Sequence, residues 1–261
     1  MRLAAVDIGS NTVHVLVADV VRDRLEEVAH YVEMPELGPQ VARTGAIGSR
    51  GKAAIRALRS VLARASAHHY DHLIAGATEA IRVARDGEEF ARQAGDAIGT
   101  PVHVISAHRE AELSFLGVAS RHAARREWVM VDLGGASTEV AIGRAREMVR
   151  WASLPVGSGV LASTYLADPP KPEERARMRR AALLTSDDLL QCEKRLDGAR
   201  ALEVSEKVGL PVNRVKAMRA GVEVLLLMLD WYGLAVLHIS HEGLRHGMLL
   251  AYLERGGAWN R

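Results

Sequence analysis

Acidic, hydroxyl and glycine residues follow one another in the segment Val129–Ile142, whose sequence is VMVDLGGASTEVAI. An apolar run ends on the acid Asp132, and glycines, hydroxyls and a second acid, Glu139, follow it. This order predicts a strand, a tight turn and a second strand. Glycines let backbone N–H groups approach an anion, hydroxyls add donors, and an acid at a strand end can hold a hard cation. The segment therefore indicates binding of phosphate together with Mg²⁺.

The segment Leu3–Val17, LAAVDIGSNTVHVLV, repeats this pattern. Its acid is Asp7, which corresponds to Asp132. Gly9, Ser10 and Thr12 follow Asp7 at the spacings at which Gly134, Gly135 and Ser137 follow Asp132. A single turn of this kind is weak evidence, because many hairpins contain one. Two copies in one chain indicate a repeated architecture. We therefore expect two similar half-domains whose turns face each other across a cleft and hold one anion.

Composition excludes several classes of protein. The chain has 261 residues and a formal net charge of only +2, so it lacks the strong basic excess of a nucleic-acid-coating protein. The single cysteine, Cys192, excludes an internal disulfide and suits a reducing compartment, so we expect a cytoplasmic protein without a signal peptide. The most apolar stretch, Leu225–Leu229, is too short to cross a membrane.

Apolar periodicity predicts alternating groups of strands and helices. The predicted strands are two within Leu3–Val20, then Leu25–Met34, His72–Ala77, Val102–Ile105, Trp128–Asp132, Ser137–Ile142, Met148–Leu154 and Ala235–Ile239. The predicted helices are Lys52–His69, Gly87–Ile98, Ala107–Arg121 with Ser106 as its N-cap, several between Ser158 and Trp231, and Glu242–Leu253. This order predicts an α/β protein with mixed sheets, divided into residues 1–120 and 121–261.

Several short motifs occur together in a specific order. They are DIGSNT at Asp7–Thr12, ATEAIR at Ala77–Arg82, ISAHREAELSFLGV at Ile105–Val118, DLGGASTE at Asp132–Glu139, SLPVGS at Ser153–Ser158 and ISHEGLRHG at Ile239–Gly247. In this order the chain resembles the exopolyphosphatase/guanosine pentaphosphate phosphatase family. The resemblance covers nearly the whole chain, and the joint order is far more specific than any one motif.

The resemblance implies two ribonuclease-H-like halves of the actin-like ATPase superfamily, in the short form without an added helical domain. It implies Mg²⁺-dependent release of a terminal phosphate from polyphosphate or guanosine pentaphosphate, and a homodimer is a family expectation. Glu110 matches the glutamate that activates water in the family, and Arg82 matches an arginine suited to phosphate oxygens. Without the motif order, Glu110 would read as an exposed helix acid and Arg82 as a surface ion-pair partner.

Candidate binding residues come from the two turns. We expect Asp132 and Glu139 to hold Mg²⁺, and Asp7 to hold the metal or a water, although each acid could instead cap its turn or face solvent. The expected phosphate-binding residues are Ser10, Asn11, Thr12, Arg82, Gly134, Gly135, Ala136, Ser137 and Thr138.

The chain departs from the family pattern at three positions. Ala136 replaces a frequent glycine, and Arg109 replaces a frequent acid, which we expect to tune substrate affinity. Val160 stands where relatives carry an arginine, a loss that would weaken polyphosphate binding or change the preferred chain length.

Two alternatives therefore remain beside hydrolysis: a binding protein that senses polyphosphate or an alarmone nucleotide, and a kinase or ATPase of the same fold.

Overall fold

The computed structural model describes residues 1–22, 24–122, 126–165, 173, 200–231, 233 and 238–261. Cys192, most of the charged segment at 171–180 and most of the predicted strand at 235–239 lie outside these residues. Two compact units make up the chain. The first contains Met1–Asp132, Thr138–Leu154 and Ser240–Arg261, and the second contains Leu133–Ser137 and Pro155–Ile239. The division predicted at residues 120 and 121 stays a prediction.

The first unit contains a mixed five-stranded sheet. Its strands are β1 (Arg2–Ile8), β2 (Val13–Val21), β3 (Arg24–Glu33), β4 (His72–Ala77) and β5 (Val102–Val104). Their order is β3-β2-β1-β4-β5; β1 and β2 are antiparallel, as are β2 and β3, whereas β4 runs parallel to both β1 and β5. The predicted α/β class with mixed sheets is confirmed.

Helices cover both faces of this sheet. They are α1 (Leu37–Thr44), α2 (Arg50–Ala65), α3 (Glu79–Val83), α4 (Gly87–Ile98), α5 (Ala107–His122) and, from the end of the unit, α9 (Leu244–Arg255). Short 3₁₀ turns lie at Ser66–His68 and Gly256–Ala258. A second sheet, in the order β6-β7-β8, consists of β6 (Glu127–Leu133), β7 (Thr138–Arg144) and β8 (Glu147–Leu154).

The period-2 alternation of β1 decides which core each of its residues joins. Ala4, Val6 and Ile8 pack with α2 and α4, whereas Leu3 and Ala5 pack in a separate cluster with α5 and α9. Burial on both faces explains why the strand reads as a continuous apolar run. Because side chains two residues apart share a face, Asp7 is directed to the side of α5 and α9.

In the second unit, the described helices are α6 (Ser158–Tyr165), α7 (Ala201–Val208) and α8 (Val212–Trp231). Leu161 of α6 packs against Ala220 and Val224 of α8, with Leu133 beside them. The predicted helical character of this region is therefore confirmed for its described residues. Within the described chain, no helix combines the length and the apolar character that crossing a membrane requires.

Helices α5 and α9 approach each other closely through glycines. A Cβ added at Gly247 would lie 1.8 Å from the carbonyl oxygen of Leu113, and one added at Gly117 would lie 2.1 Å from that of Gly243. Both neighbours are backbone atoms, which cannot rotate away. The two helices can therefore be this close only where both positions lack a side chain.

We expect Gly247→Ala to lower the free energy of unfolding by about 2 kcal/mol, because its methyl group forces two packed helices apart. Urea denaturation of the purified protein measures this change. Gly257→Ala is the matched control, since a Cβ there meets no atom within 4 Å. Equal stability of the two variants would contradict the packing argument.

Candidate active site

The two glycine turns have the same backbone geometry. Gly9 N–H donates to the Thr12 carbonyl at 2.8 Å, and Gly134 N–H donates to the Ser137 carbonyl at 2.9 Å. A Cβ would lie 3.2 Å from the Thr12 oxygen at Gly9 and 2.9 Å from the Ser137 oxygen at Gly134. The repeat read from the sequence is therefore a repeat of structure, and each copy leaves little space for a side chain at its glycine.

Neighbouring elements hold the first turn firmly. Ser10 Oγ accepts a hydrogen bond from the Ala80 N–H at 3.2 Å, and the Ser10 carbonyl accepts one from the Gly38 N–H at 2.6 Å. Gly38 is close enough that an added Cβ would lie 3.0 Å from the Ser10 Cβ. Asn11 is buried, and its Oδ1 makes no hydrogen bond within the described chain. Such an atom is available to a bound ligand.

The second turn, Leu133–Ser137, belongs to the second unit and supports the start of α6. The Gly134 carbonyl accepts the Ser158 N–H, and the Gly135 carbonyl accepts the N–H groups of Gly159 and Val160, each at 3.0 Å. Val160, where the family arginine is missing, therefore contacts this turn through its backbone. The convergence of the two turns on one anion stays a prediction.

Glu110 lies in the first turn of α5 and is 7% exposed. Ser106 Oγ accepts the Arg109 N–H at 3.1 Å, which confirms the predicted N-cap. Arg82 Nη1 donates to Glu110 Oε2 at 2.8 Å and to the Ile105 carbonyl at 2.8 Å, and Arg82 Nη2 donates to Glu79. The structure thus joins two residues that the motifs placed far apart in sequence.

Burial and neighbouring negative charge control the ionisation of Glu110. Burial is the largest cause of its raised pKa, the charge of Glu139 adds to it, and the ion pair with Arg82 opposes both. The resulting pKa is about 8. The carboxyl group therefore titrates near neutral pH, which is a property of general acids and bases in active sites.

The three predicted metal ligands lie in the same unit as Glu110. Ser114 Oγ donates to Asp132 Oδ2 at 2.6 Å, and Ser153 Oγ donates to Glu139 Oε1 at 2.8 Å. Asp132 also raises the pKa of Glu110 through its charge, so these acids lie near one another. The hydroxyl groups orient the two carboxylates without neutralising them.

Asp7 is held by an arginine that the sequence did not single out. Arg245 Nη1 of α9 donates to Asp7 Oδ2 at 3.2 Å. Burial raises the pKa of Asp7, the charge of Arg245 lowers it, and the charge of Asp132 raises it. Asp7 Oδ1 is buried and has no hydrogen-bond partner within the described chain. This unsatisfied oxygen fits a cation or a water bound beside Asp132.

A hard cation suits the oxygen donors of Asp7, Asp132 and Glu139. Among the residues that the structure describes, no group of three or more His, Cys, Asp or Glu side chains is arranged to hold a metal ion by itself. Mg²⁺ usually takes one or two carboxylates and completes its shell with water and substrate oxygens. The oxygen donors of these residues suit a hard cation of this kind.

Sequence reasoning missed four side chains of this site: Glu79, Ser114, Ser153 and Arg245. Ser114 could have been found, because it follows Glu110 by one helical turn and shares its face. Arg245 lies within the ISHEGLRHG motif, but nothing in the spacing connects it with Asp7. Its role depends on α9 packing against the face of β1 that carries Asp7.

Comparison with known proteins gives the family of the chain. The model of the Ppx/GppA phosphatase family matches residues 16–189. The chain belongs to the Ppx/GppA phosphatase family. Exopolyphosphatase 2 of Mycobacterium tuberculosis is 34% identical to it over 191 residues, which are 69% of this chain and 60% of that protein. The chain therefore spans less than two thirds of the length of that relative.

Two solved structures share the fold. The Ppx/GppA family member of Aquifex aeolicus has a TM-score of 0.76 at 24% identity, over 98% of this chain and 99% of that one. An exopolyphosphatase of Cytophaga hutchinsonii has a TM-score of 0.84 at 21% identity, over 97% of this chain and 98% of that one. The fold class expected from the resemblance is confirmed across nearly the whole chain.

The raised pKa of Glu110 makes stability depend on pH. In the unfolded chain the group ionises near its ordinary pKa of 4.5, but in the folded chain it stays protonated up to about pH 8. The folded state holds the extra proton between these values, so this group's stabilising contribution is lost as the pH rises through that window.

We therefore expect Glu110→Gln to become more stable relative to the unmodified protein as the pH rises from about 5 to 8, by about 2 to 4 kcal/mol. Urea unfolding at several pH values measures this difference. Glu89→Gln, at an exposed acid of α4, is the control and should follow the unmodified protein. If the difference in the free energy of unfolding between Glu110→Gln and the unmodified protein did not change with pH, the raised pKa of Glu110 would be disproved.

Proposed function

We propose that the chain is a phosphohydrolase that releases the terminal phosphate of inorganic polyphosphate, with guanosine pentaphosphate as the second candidate substrate. The observation that carries this proposal is the buried Glu110, paired with Arg82 and surrounded by further acids. Membership of the Ppx/GppA phosphatase family and the likeness to Exopolyphosphatase 2 support the same reaction class.

In this mechanism, Glu110 is the general base. A water oxygen attacks the terminal phosphorus, the bond to the bridging oxygen breaks, and the water proton passes to the Glu110 carboxylate. A base works best when its pKa lies near the working pH, and a pKa of about 8 meets this requirement. The deprotonated fraction of Glu110 then increases with pH, so the rate should rise through that value.

Arg82 has two roles in the proposal. Its hydrogen bonds to the Ile105 carbonyl and to Glu79 hold the guanidinium in place beside Glu110. Held there, the guanidinium orients the base and presents positive charge to the oxygens of an incoming phosphate. Binding of that phosphate would compete for Arg82 and leave the Glu110 carboxylate free to accept a proton.

We assign Mg²⁺ to Asp132 and Glu139, with Asp7 holding the ion or one of its waters. When bound, the ion would draw phosphate oxygens together and neutralise their charge. Ser114 and Ser153 keep the two carboxylates aimed by hydrogen bonds, and Arg245 does the same for Asp7. Such outer partners contribute strongly to metal affinity in other sites.

The glycine turns supply the expected phosphate donors. In the first turn we assign the backbone and side chains of Ser10, Asn11 and Thr12. In the second turn we assign residues 134–138 to the same role. The paired backbone geometry of the turns supports equivalent roles for both. A cytoplasmic location and a homodimer stay expectations from composition and family.

Replacement of the base tests the mechanism directly. We expect Glu110→Gln to lower kcat for phosphate release from polyphosphate by about 10² to 10⁴-fold, with little change in KM. Release of inorganic phosphate, followed with long-chain polyphosphate, short-chain polyphosphate and guanosine pentaphosphate, also identifies the substrate. Glu89→Gln should retain full activity, because Glu89 is exposed and pairs only locally with Arg92 and Gln93 on α4.

An unchanged kcat in Glu110→Gln would reject the role of Glu110. Saturable polyphosphate binding without phosphate release by the unmodified protein would favour the binding alternative. Transfer of phosphate from ATP to an added acceptor would favour the kinase alternative.

The metal assignment has its own test. We expect Ser114→Ala to raise the Mg²⁺ concentration required for half-maximal activity by about tenfold, because Asp132 loses the hydroxyl that orients it. Activity titrated with Mg²⁺ after treatment with a chelator measures this. Ser60→Ala, at an exposed position of α2, is the control. Identical Mg²⁺ requirements in both variants would count against Asp132 as a ligand.

A further inference from the structure

Arg109, the residue immediately before Glu110, directs its charge into the protein. Its side chain is 5% exposed. Nε donates to the Trp259 carbonyl at 3.0 Å, Nη2 donates to the same oxygen, and Nη1 donates to Glu112 Oε2 at 2.7 Å. A buried guanidinium needs such partners, and here a segment 150 residues away supplies most of them. The expectation that Arg109 tunes substrate affinity does not follow from these contacts.

Trp259 is anchored to the central sheet. It is 2% exposed, and a Cβ added at Gly76 of β4 would lie 3.3 Å from its ring. The ring also makes an edge-to-face contact with His103 of β5, with the centroids 5.7 Å apart. Glycine at position 76 leaves the space that the indole occupies. The position of the Trp259 backbone is therefore tied to β4 and β5.

The same tryptophan contacts α5, which carries Glu110, and β4, which leads into the helix that carries Arg82. Its carbonyl holds Arg109 in the first turn of α5, where Glu110 lies. Its ring packs on β4, which continues through Thr78 into α3, where Arg82 lies. A shift of Trp259 would therefore move the Glu110 and Arg82 side chains relative to each other.

The first turn of α5 also borders a surface pocket and contacts β8. A cavity of about 520 Å³ borders it and is lined by His108, Arg109 and Glu112 among other residues. His108 of this turn makes an edge-to-face ring contact with Trp151 of β8, with the centroids 5.1 Å apart. The hydrogen bonds of Arg109 add a polar link from this turn to the Trp259 backbone.

We propose that Arg109 and Trp259 form a positioning pair, which we call the Arg109–Trp259 brace. The brace fixes the first turn of α5 against β4 and so sets the geometry of Glu110 and Arg82. The proposal rests on the role of Glu110 in the proposed function. Arg109 does not contact the reacting atoms in this scheme; it acts through Glu110.

Kinetics of Arg109→Gln test the brace. We expect kcat for phosphate release from polyphosphate to fall by about ten- to a hundredfold, because a small misplacement of a catalytic group is costly. KM should change less than twofold, about the scatter of such measurements, because the phosphate-binding turns are untouched. Arg109→Lys keeps the positive charge and one donor nitrogen, so its kcat should lie between those of Arg109→Gln and the unmodified protein.

Arg92→Gln is the matched control. Arg92 is also a helical arginine with an ion pair on its own helix, but it is exposed on α4, and we expect no change in kcat or KM. A fall in thermal stability of Arg109→Gln with unchanged kcat would overturn the brace as a positioning device. A raised KM with unchanged kcat would also overturn it, and would assign Arg109 to substrate binding.

Amide hydrogen exchange gives a readout that needs no activity. In Arg109→Gln, we expect faster exchange at the amides of residues 107–113, while α4 exchanges as before. If the unmodified protein releases no phosphate, the proposed function fails, but the exchange result still decides whether Arg109 holds the turn. Unchanged exchange at residues 107–113 would overturn the brace.

Discussion

Bringing several carboxylates together in a buried site costs free energy, and arginine side chains of the first unit offset part of that cost. Glu110 is close enough to Glu139 and Asp132 for their charges to raise its pKa, and burial raises it further. Arg82 lowers this cost at Glu110, and Arg245 does so at Asp7.

Helix α5 connects the parts of this arrangement. Glu110 and Ser114 lie on one face of it, and Ser114 holds Asp132 by a hydrogen bond. Phe115 and Ala119 pack against the second sheet, so the same helix also supports the strands that carry Asp132 and Glu139. The glycine contacts with α9 then bring Arg245 within reach of Asp7. A shift of this one helix would disturb the base and the metal ligands together.

Local patterns were sufficient to predict much of the fold. The strand His72–Ala77 and the helix Gly87–Ile98 were predicted with the bounds that the structure has, because their apolar spacing and flanking turn residues agree. Helix α1, Leu37–Thr44, was missed because its first turn contains Gly38 and Pro39, which usually indicate a loop. Proline is tolerated in a first helical turn, and Gly38 is needed for close approach to Ser10.

Local sequence was sufficient to predict the repeated glycine turns, the acids beside them and the motif that contains Glu110. These signals are local, because each depends on residues within one turn or one strand and helix. The partners of these residues follow from the folded chain and not from local sequence: Arg245 lies at Asp7, and Arg82 lies at Glu110. Trp259 likewise lies at Arg109, the neighbour of Glu110. These pairs are far apart in the chain and share no pattern, because packing of the helices on the sheet creates them. The raised pKa of Glu110 has the same origin, since burial and neighbouring charge exist only in the folded chain.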